Sequence, residues 1–186
     1  MKNKVKKILI DIVEVLLIAY IISFVIKTFF ISPVLVKEHS MLPTLNNNDF
    51  GFSFVVNENK KLDRFDIVVI DNGDYLIVKR LIGFPNETIE YRDNKLYVNG
   101  EYYKEDFLDT DTHTNELKIE LKDNEYYCLG DNRESSIDSR IHGPYEREDI
   151  KSRHVFVLYP FSNWGYKKWI ISNGIQAIWP RLIKRF

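Results

Sequence analysis

Hydrophobic and polar positions divide the chain into two regimes. From Ile12 to Phe30 it reads IVEVLLIAYIISFVIKTFF, with no charge between Val15 and Ile26. As a helix, these 19 residues extend about 28 Å, close to the ~30 Å hydrocarbon core of a bilayer. Glu14 and Lys27 fall near the two ends, where charged heads reach the interface. Lys7, Asp11 and Glu14 share one helical face, so Lys7 offsets Asp11. Pro33 is expected to stop the helix. The pattern predicts one membrane helix over residues 11–31. A cleaved signal peptide needs a small-x-small site after its apolar run, and Phe29-Phe30-Ile31-Ser32-Pro33 has none. A buried core helix is the other alternative, disfavoured by the two acids and Lys27.

Beyond Pro33 the period shortens to that of strands. Phe50–Val56, Asp66–Ile70, Tyr75–Ile82, Lys95–Val98, Glu101–Tyr103, Leu117–Leu121, Glu125–Leu129 and Val155–Tyr159 are aromatic and β-branched runs. Turn signals separate them: Asp71-Asn72-Gly73-Asp74, Gly83-Phe84-Pro85, and Asn99-Gly100, a strong two-residue hairpin signal. Residues 104–116 are polar and acidic and read as a loop. The expected fold class is mainly β, an antiparallel two-sheet body behind a single N-terminal transmembrane helix. The predicted organisation is a basic stub (1–10), the helix (11–31), a β body (32–163) with a smaller cap-like hairpin region near 91–125, and an aromatic and basic tail (164–186).

Composition sharpens this picture at four points. The 186-residue chain has a net charge of −1, which gives no case for a nucleic-acid partner. Its first ten residues carry Lys2, Lys4, Lys6 and Lys7 and no acid, so a stub of +4 precedes a remainder of −5. The positive-inside rule then puts the N-terminus in the cytoplasm and the body outside the cytoplasmic membrane. The single cysteine, Cys128, excludes an internal disulfide and lies in a strand pattern, where it suits a small buried hydrophobe. In the tail, Trp164, Trp169 and Trp179 mix with Lys167, Lys168, Arg181, Lys184 and Arg185, a composition that suits peripheral contact with the bilayer, with packing on the body as the alternative.

Three stretches carry candidate chemistry. Ser40 stands ten residues after Phe30, a tether that reaches at most about 33–36 Å. The serine is therefore held near the outer membrane face. Pro43 makes the turn after it stiff and is expected to keep it extended. An ordinary turn into a strand is the plain alternative. Lys79 shares a strand face with Ile77 and Leu81, while Val78 and Arg80 take the other. Desolvation lowers the pKa of such a lysine, and a neutral amine accepts a proton from a serine hydroxyl. A strand-edge lysine that bends into water is the alternative. The run from Gly130 to Pro144 is dense in Asp131, Asn132, Ser136, Asp138 and Ser139, where pairs such as Asp138–Arg140 or Asp131–Arg80 could stiffen a loop. A solvated loop is the alternative there. Among rival chemistries, His142 follows Asp138 by four residues, which leaves a Ser-His-Asp triad conceivable. No Cys/His cluster has metal-ligand spacing, and no cofactor is expected. A non-catalytic anchored β module is the reading from another class.

Taken together, Ser40-Met41-x-Pro43-Thr44-Leu45, Asp66-Ile67-Val68-Val69, Val78-Lys79-Arg80-x-Ile82-Gly83-x-Pro85 and Gly130-Asp131-Asn132-Arg133-x-x-Ser136-x-Asp138-Ser139-Arg140-x-x-Gly143 resemble, in order and spacing, the type I signal peptidases of the compact Gram-positive kind. The resemblance covers roughly residues 8–163. It implies a membrane-bound Ser/Lys endopeptidase that removes signal peptides from secreted preproteins. Ser40 would be the nucleophile, with its N–H an oxyanion donor, and Lys79 the general base. Ser136 would orient the amine by a hydrogen bond. Asp131, Asp138 and Arg140 would hold the loop, and Arg80 would be structural. The sequence departs from the family at Glu38, where a glycine or a hydroxyl residue is usual, and an ionised carboxylate cannot donate to an oxyanion. It departs again at Phe65, where a glycine commonly precedes the aspartate, an exchange expected to matter for packing. Signal-peptide substrates carry small residues before the cut. Shallow apolar pockets are therefore expected near Ser40, lined by Ile31, Val34, Val36, Ile77 and Leu81.

Overall fold

The computed structural model describes residues 2–109 and 112–167. Helix α1 runs from Lys2 to Phe29, so the basic stub forms its first turns instead of preceding it. Within Lys4–Phe29 its most apolar 18-residue window has a mean hydropathy of 2.6, and no residue of that window is buried in the body. An apolar helix with no protein partner is matched to lipid. It ends four residues before Pro33, not at it. The chain passes directly into strand β1 (Ile31–Leu35), with Pro33 opposite Phe52. That strand was not predicted, because a proline in mid-run argues against a strand. Here β1 is the sheet edge, where a missing N–H costs no ladder bond.

The strands are β2 (Phe50–Val55), β3 (Ile67–Asp71), β4 (Leu76–Gly83), β5 (Thr88–Arg92), β6 (Lys95–Val98), β7 (Glu101–Tyr103), β8 (Leu117–Glu120), β9 (Glu125–Leu129), β10 (Tyr145–Glu146), β11 (Ile150–Tyr159) and β12 (Gly165–Lys167). One antiparallel sheet runs β1-β2-β11-β3-β4-β9-β10, with β12 added to β11; the other runs β7-β6-β5-β8. In β3, Val68 and Ile70 join a cluster with Ile77, Leu81, Cys128 and Ile150, while Ile67 and Val69 join one with Val34, Met41, Leu45 and Val157. Alternation thus sends successive side chains of one central strand to two cores. A third cluster, including Ile82, Ile89, Tyr91, Leu96 and Leu129, lies between the sheets. The β6–β7 hairpin turns at Asn99 and Gly100, both at positive φ (51° and 85°), as its two-residue signal requires.

Strand β5 was missed although Ile89 and Tyr91 alternate inward. Strand β11 begins five residues before the predicted Val155. Its first half is polar, and it is buried because its polar groups pair: Ser152 and Ser53 hydroxyls meet at 2.6 Å. Phe65 lies in the left-handed region at φ 68°. The glycine usual there is thus a backbone requirement, and more than packing changes with the phenylalanine.

Candidate active site

The turn after β1 brings Ser40 to the middle of the large sheet. Residues 40–45 form overlapping turns, with the Leu45 N–H on the Met41 carbonyl at 2.9 Å. This differs from the extended turn expected from Pro43. Coiling lets Met41 and Leu45 both enter the core, and that burial fixes the turn. Lys79 reaches it from β4, a strand covered on both faces from Lys79 onward.

Lys79 is 1% exposed, and its Nζ lies 2.8 Å from Ser40 Oγ. Burial pushes the amine's pKa below 10.5, against the pull of the Asp138 and Glu38 carboxylates. The Ser40 hydroxyl pairs with this amine and with no histidine. His39 and His142 are exposed. His154 spends Nε2 on Asp66 at 2.8 Å and Nδ1 on the Tyr166 hydroxyl. The Ser40 N–H makes no intramolecular hydrogen bond among the described residues.

The loop after β9 is fastened at several points. Arg80, 1% exposed, grips Asp131 with two bonds of 2.7 and 2.5 Å and stacks its guanidinium 3.9 Å from the Phe107 ring centroid. Asp131 also accepts from the Thr44 hydroxyl at 2.6 Å, and the Asn132 N–H donates to the Ser40 carbonyl at 3.0 Å. Asp138 caps α2 (Ser139–His142) and receives Arg140 through two bonds of 2.8 Å. Burial alone would raise its pKa; the Arg140 guanidinium and the Gly130 N–H outweigh that and hold it low. Gly130 itself has no room for a side chain: a Cβ would meet Ser136 Oγ at 2.2 Å and the Ser40 carbonyl at 2.4 Å.

Two expectations change. Ser136 does not hydrogen-bond the Lys79 amine. Its hydroxyl packs against Gly130, buried without a partner of bonding geometry, although it faces Asp138 closely enough to help hold that acid ionised. A groove of about 290 Å³ does open beside Ser40, lined by Leu35, Val36, Glu38, Tyr75, Leu76, Ile77 and Lys79 among others. Of the expected wall residues, only Val36 and Ile77 belong to it. Val34 and Leu81 point into the cores, and Ile31 pairs with Phe54 at the strand's start. Leu35, Tyr75 and Leu76 take their place because the wall is built from exposed positions at the end of β1, in the β3–β4 turn and at the start of β4.

Sequence reasoning gave no role to Arg133, which is buried and joins the loop to the small sheet. Its Nε donates to the Gly130 carbonyl at 3.0 Å, and its guanidinium meets Tyr91, Thr114 and Glu105. Its motif placed it in the loop, but its partners are remote in sequence. Among the described residues, no group of three or more His, Cys, Asp or Glu side chains is arranged to hold a metal ion. Trp164 lies edge-on to Phe156, 5.4 Å between ring centroids, and β12 pairs with β11. Trp169, Trp179 and the tail cations from Lys168 to Arg185 lie outside the described residues.

The chain is similar to known proteins along most of its length. The family described as signal peptidase, peptidase S26, matches residues 9–159. Signal peptidase I S of Bacillus subtilis is 34% identical over 84% of this chain and 92% of its own. Signal peptidase I P of B. subtilis subsp. natto is 35% identical over 90% and 98%. Signal peptidase IB of Staphylococcus aureus is 32% identical over 87% and 95%. A solved signal peptidase I from Enterococcus faecalis is 32% identical, covering 50% of this chain and 97% of its own, at a TM-score of 0.47.

Proposed function

We propose, for a chain that belongs to the signal peptidase family, peptidase S26, that Ser40 and Lys79 are its catalytic dyad. The protein is a membrane-anchored signal peptidase that removes signal peptides. The observation that carries the dyad reading is the 2.8 Å contact between a buried amine and a serine hydroxyl at the groove. Neutral Lys79 takes the Ser40 proton as Oγ attacks the scissile carbonyl. The resulting ammonium returns that proton to the departing amine, which leaves an acyl-enzyme. Lys79 then deprotonates the water that releases the signal peptide. The free Ser40 N–H donates to the oxyanion. Glu38 is exposed in the groove wall and offers it no donor while ionised. Once protonated, the ammonium has three donors to satisfy, and the oxygen of the buried Ser136 hydroxyl, which accepts no hydrogen bond among the described residues, is the acceptor we assign to it. Arg80, Asp131, Asp138 and Arg140 hold the loop against the Ser40 turn.

The four N-terminal lysines favour a cytoplasmic position for that end, which supports a groove that works at the outer face of the cytoplasmic membrane, where a signal peptide's apolar helix ends. The groove beside Ser40 suits small side chains before the cut, with Val36 and Ile77 in its wall. Cleavage of a preprotein by the full-length protein tests the dyad. Ser40→Ala and Lys79→Ala abolish it and His142→Ala preserves it; unchanged cleavage by Lys79→Ala removes the base.

A further inference from the structure

The stretch that follows the family-matched residues is tied back to the turn that carries Ser40. Residues 160–167 form a 3₁₀ turn (Phe161–Asn163) and β12. The Asn163 side-chain amide donates to Asp49 Oδ2, which also accepts the Asn46 N–H at 2.8 Å. Asp49 is 1% exposed, and its other oxygen is buried without a partner. Lys167 Nζ completes the chain by donating to Asn163 Oδ1 at 2.5 Å.

Asp49 occupies a mechanical position. Its carbonyl accepts the Val36 N–H at 2.9 Å, and the Asn48 N–H donates to the Val36 carbonyl at 2.8 Å. These two bonds close the neck of a loop, residues 37–48, from which Ser40 projects. The far side of that loop is pinned by Asp131 and Asn132. Among the described residues, the neck has one side-chain donor from outside the loop, Asn163. A second anchor fixes the strap: the Tyr166 hydroxyl bonds His154, which bonds the buried Asp66. His154 stands at φ 56°, where the β11 register shifts. The strap thus docks directly on one buried carboxylate, Asp49 at the neck, and through His154 on a second, Asp66.

We propose that Asn163 is a positioning residue for the peptidase reaction: by donating to Asp49, the strap 160–167 holds the neck of the Ser40 loop and so sets the Ser40–Lys79 contact. This rests on the dyad reading above. A buried carboxylate that loses its donor seeks another partner, and the neck moves with it. Displacement of a nucleophile by about 1 Å costs on the order of 100-fold.

The test uses the full-length protein in detergent micelles or lipid vesicles, with kcat and KM measured on a preprotein. Asn163→Leu lowers kcat by about 10- to 100-fold with KM within about 2-fold. Asn163→Asp sets carboxylate against carboxylate and lowers kcat likewise. In the exchange D49N/N163D, an amide on the loop donates to a carboxylate on the strap, which still accepts from Lys167. That exchange returns kcat to within about 3-fold of wild type, a rescue expected of a restored pair. If Asn163→Leu folds and keeps its kcat, or if the exchange is no faster than Asn163→Asp, the positioning role is overturned. Ser40→Ala in the same assay separates the two levels: its inactivity upholds the dyad whatever Asn163 does, and its activity would remove the dyad itself.

Discussion

Arg80→Met removes the guanidinium that fastens the loop to β4. Both partners are buried, with side-chain exposures of 1% for Arg80 and 0% for Asp131. Two charge-assisted bonds disappear, together with a bond of 2.8 Å to the Phe65 carbonyl and the stacking on Phe107. The Asp131 carboxylate keeps one side-chain donor, the Thr44 hydroxyl. Breaking a buried pair from one side costs about 3–5 kcal/mol, against a total stability of about 5–15 kcal/mol. Replacing both charges by apolar groups is close to neutral, because neither is then left buried and unpaired. R80M is therefore expected to lose about 4 kcal/mol, and R80M/D131L to recover most of it. Cleavage diverges from stability in the double variant. Thr44 has lost its acceptor, so the Ser40 turn keeps only its Asn132 bonds to the loop, and activity stays low. The assay is urea unfolding of the full-length protein followed by tryptophan fluorescence, with preprotein cleavage measured on the same samples. A loss below about 1 kcal/mol for R80M, the value of an exposed pair, would refute the reasoning. So would a double variant no more stable than the single one.

Three further outcomes follow from the same geometry. Glu38→Gln removes a negative charge that pulls the Lys79 pKa upward; because the base works deprotonated, the acid limb of the kcat/KM profile moves to lower pH, and an unmoved limb would count against Glu38's influence. Lys79→Met lowers cleavage by about 10²–10⁴-fold, the scale of a lost general base. It also changes how stability responds to pH. The folded pKa of Lys79 lies below 10.5, so the unfolded chain binds more protons between those two values, and wild-type stability rises with pH across that window. Denaturation at several pH values should show that rise flattened in the variant. Finally, Val36→Phe narrows the groove beside Ser40 and raises KM for substrates with alanine before the cut; substrates with bulky residues there that are cleaved as well as alanine would contradict the groove assignment.

Much of this was legible in the chain because the signals were local. The uncharged run before Lys27, the Asn99-Gly100 turn and the lysine on an apolar strand face each carry their physics within a few residues. What escaped depends on partners far away in sequence. Strand β11 hides its first half because Ser152 and His154 are polar, and Ser53, Asp66 and Tyr166 explain their burial. Arg133 reads as a loop charge until Glu105, Tyr91 and Thr114 arrive from the second sheet. Val34 and Leu81, expected in the groove wall, lie outside it, because alternation tells which residues share a face, but not which faces are covered.

The central claim is that a buried amine beside Ser40 is uncharged when the enzyme works. Titrating the Lys79 amine by ¹⁵N NMR in the full-length protein, beside the pH profile of kcat/KM on a preprotein, tests it most directly. The account predicts that Lys79 titrates below 10.5 and that its midpoint coincides with the acid limb of activity. A Lys79 that titrates at the ordinary lysine value while cleavage proceeds fully at neutral pH would contradict it.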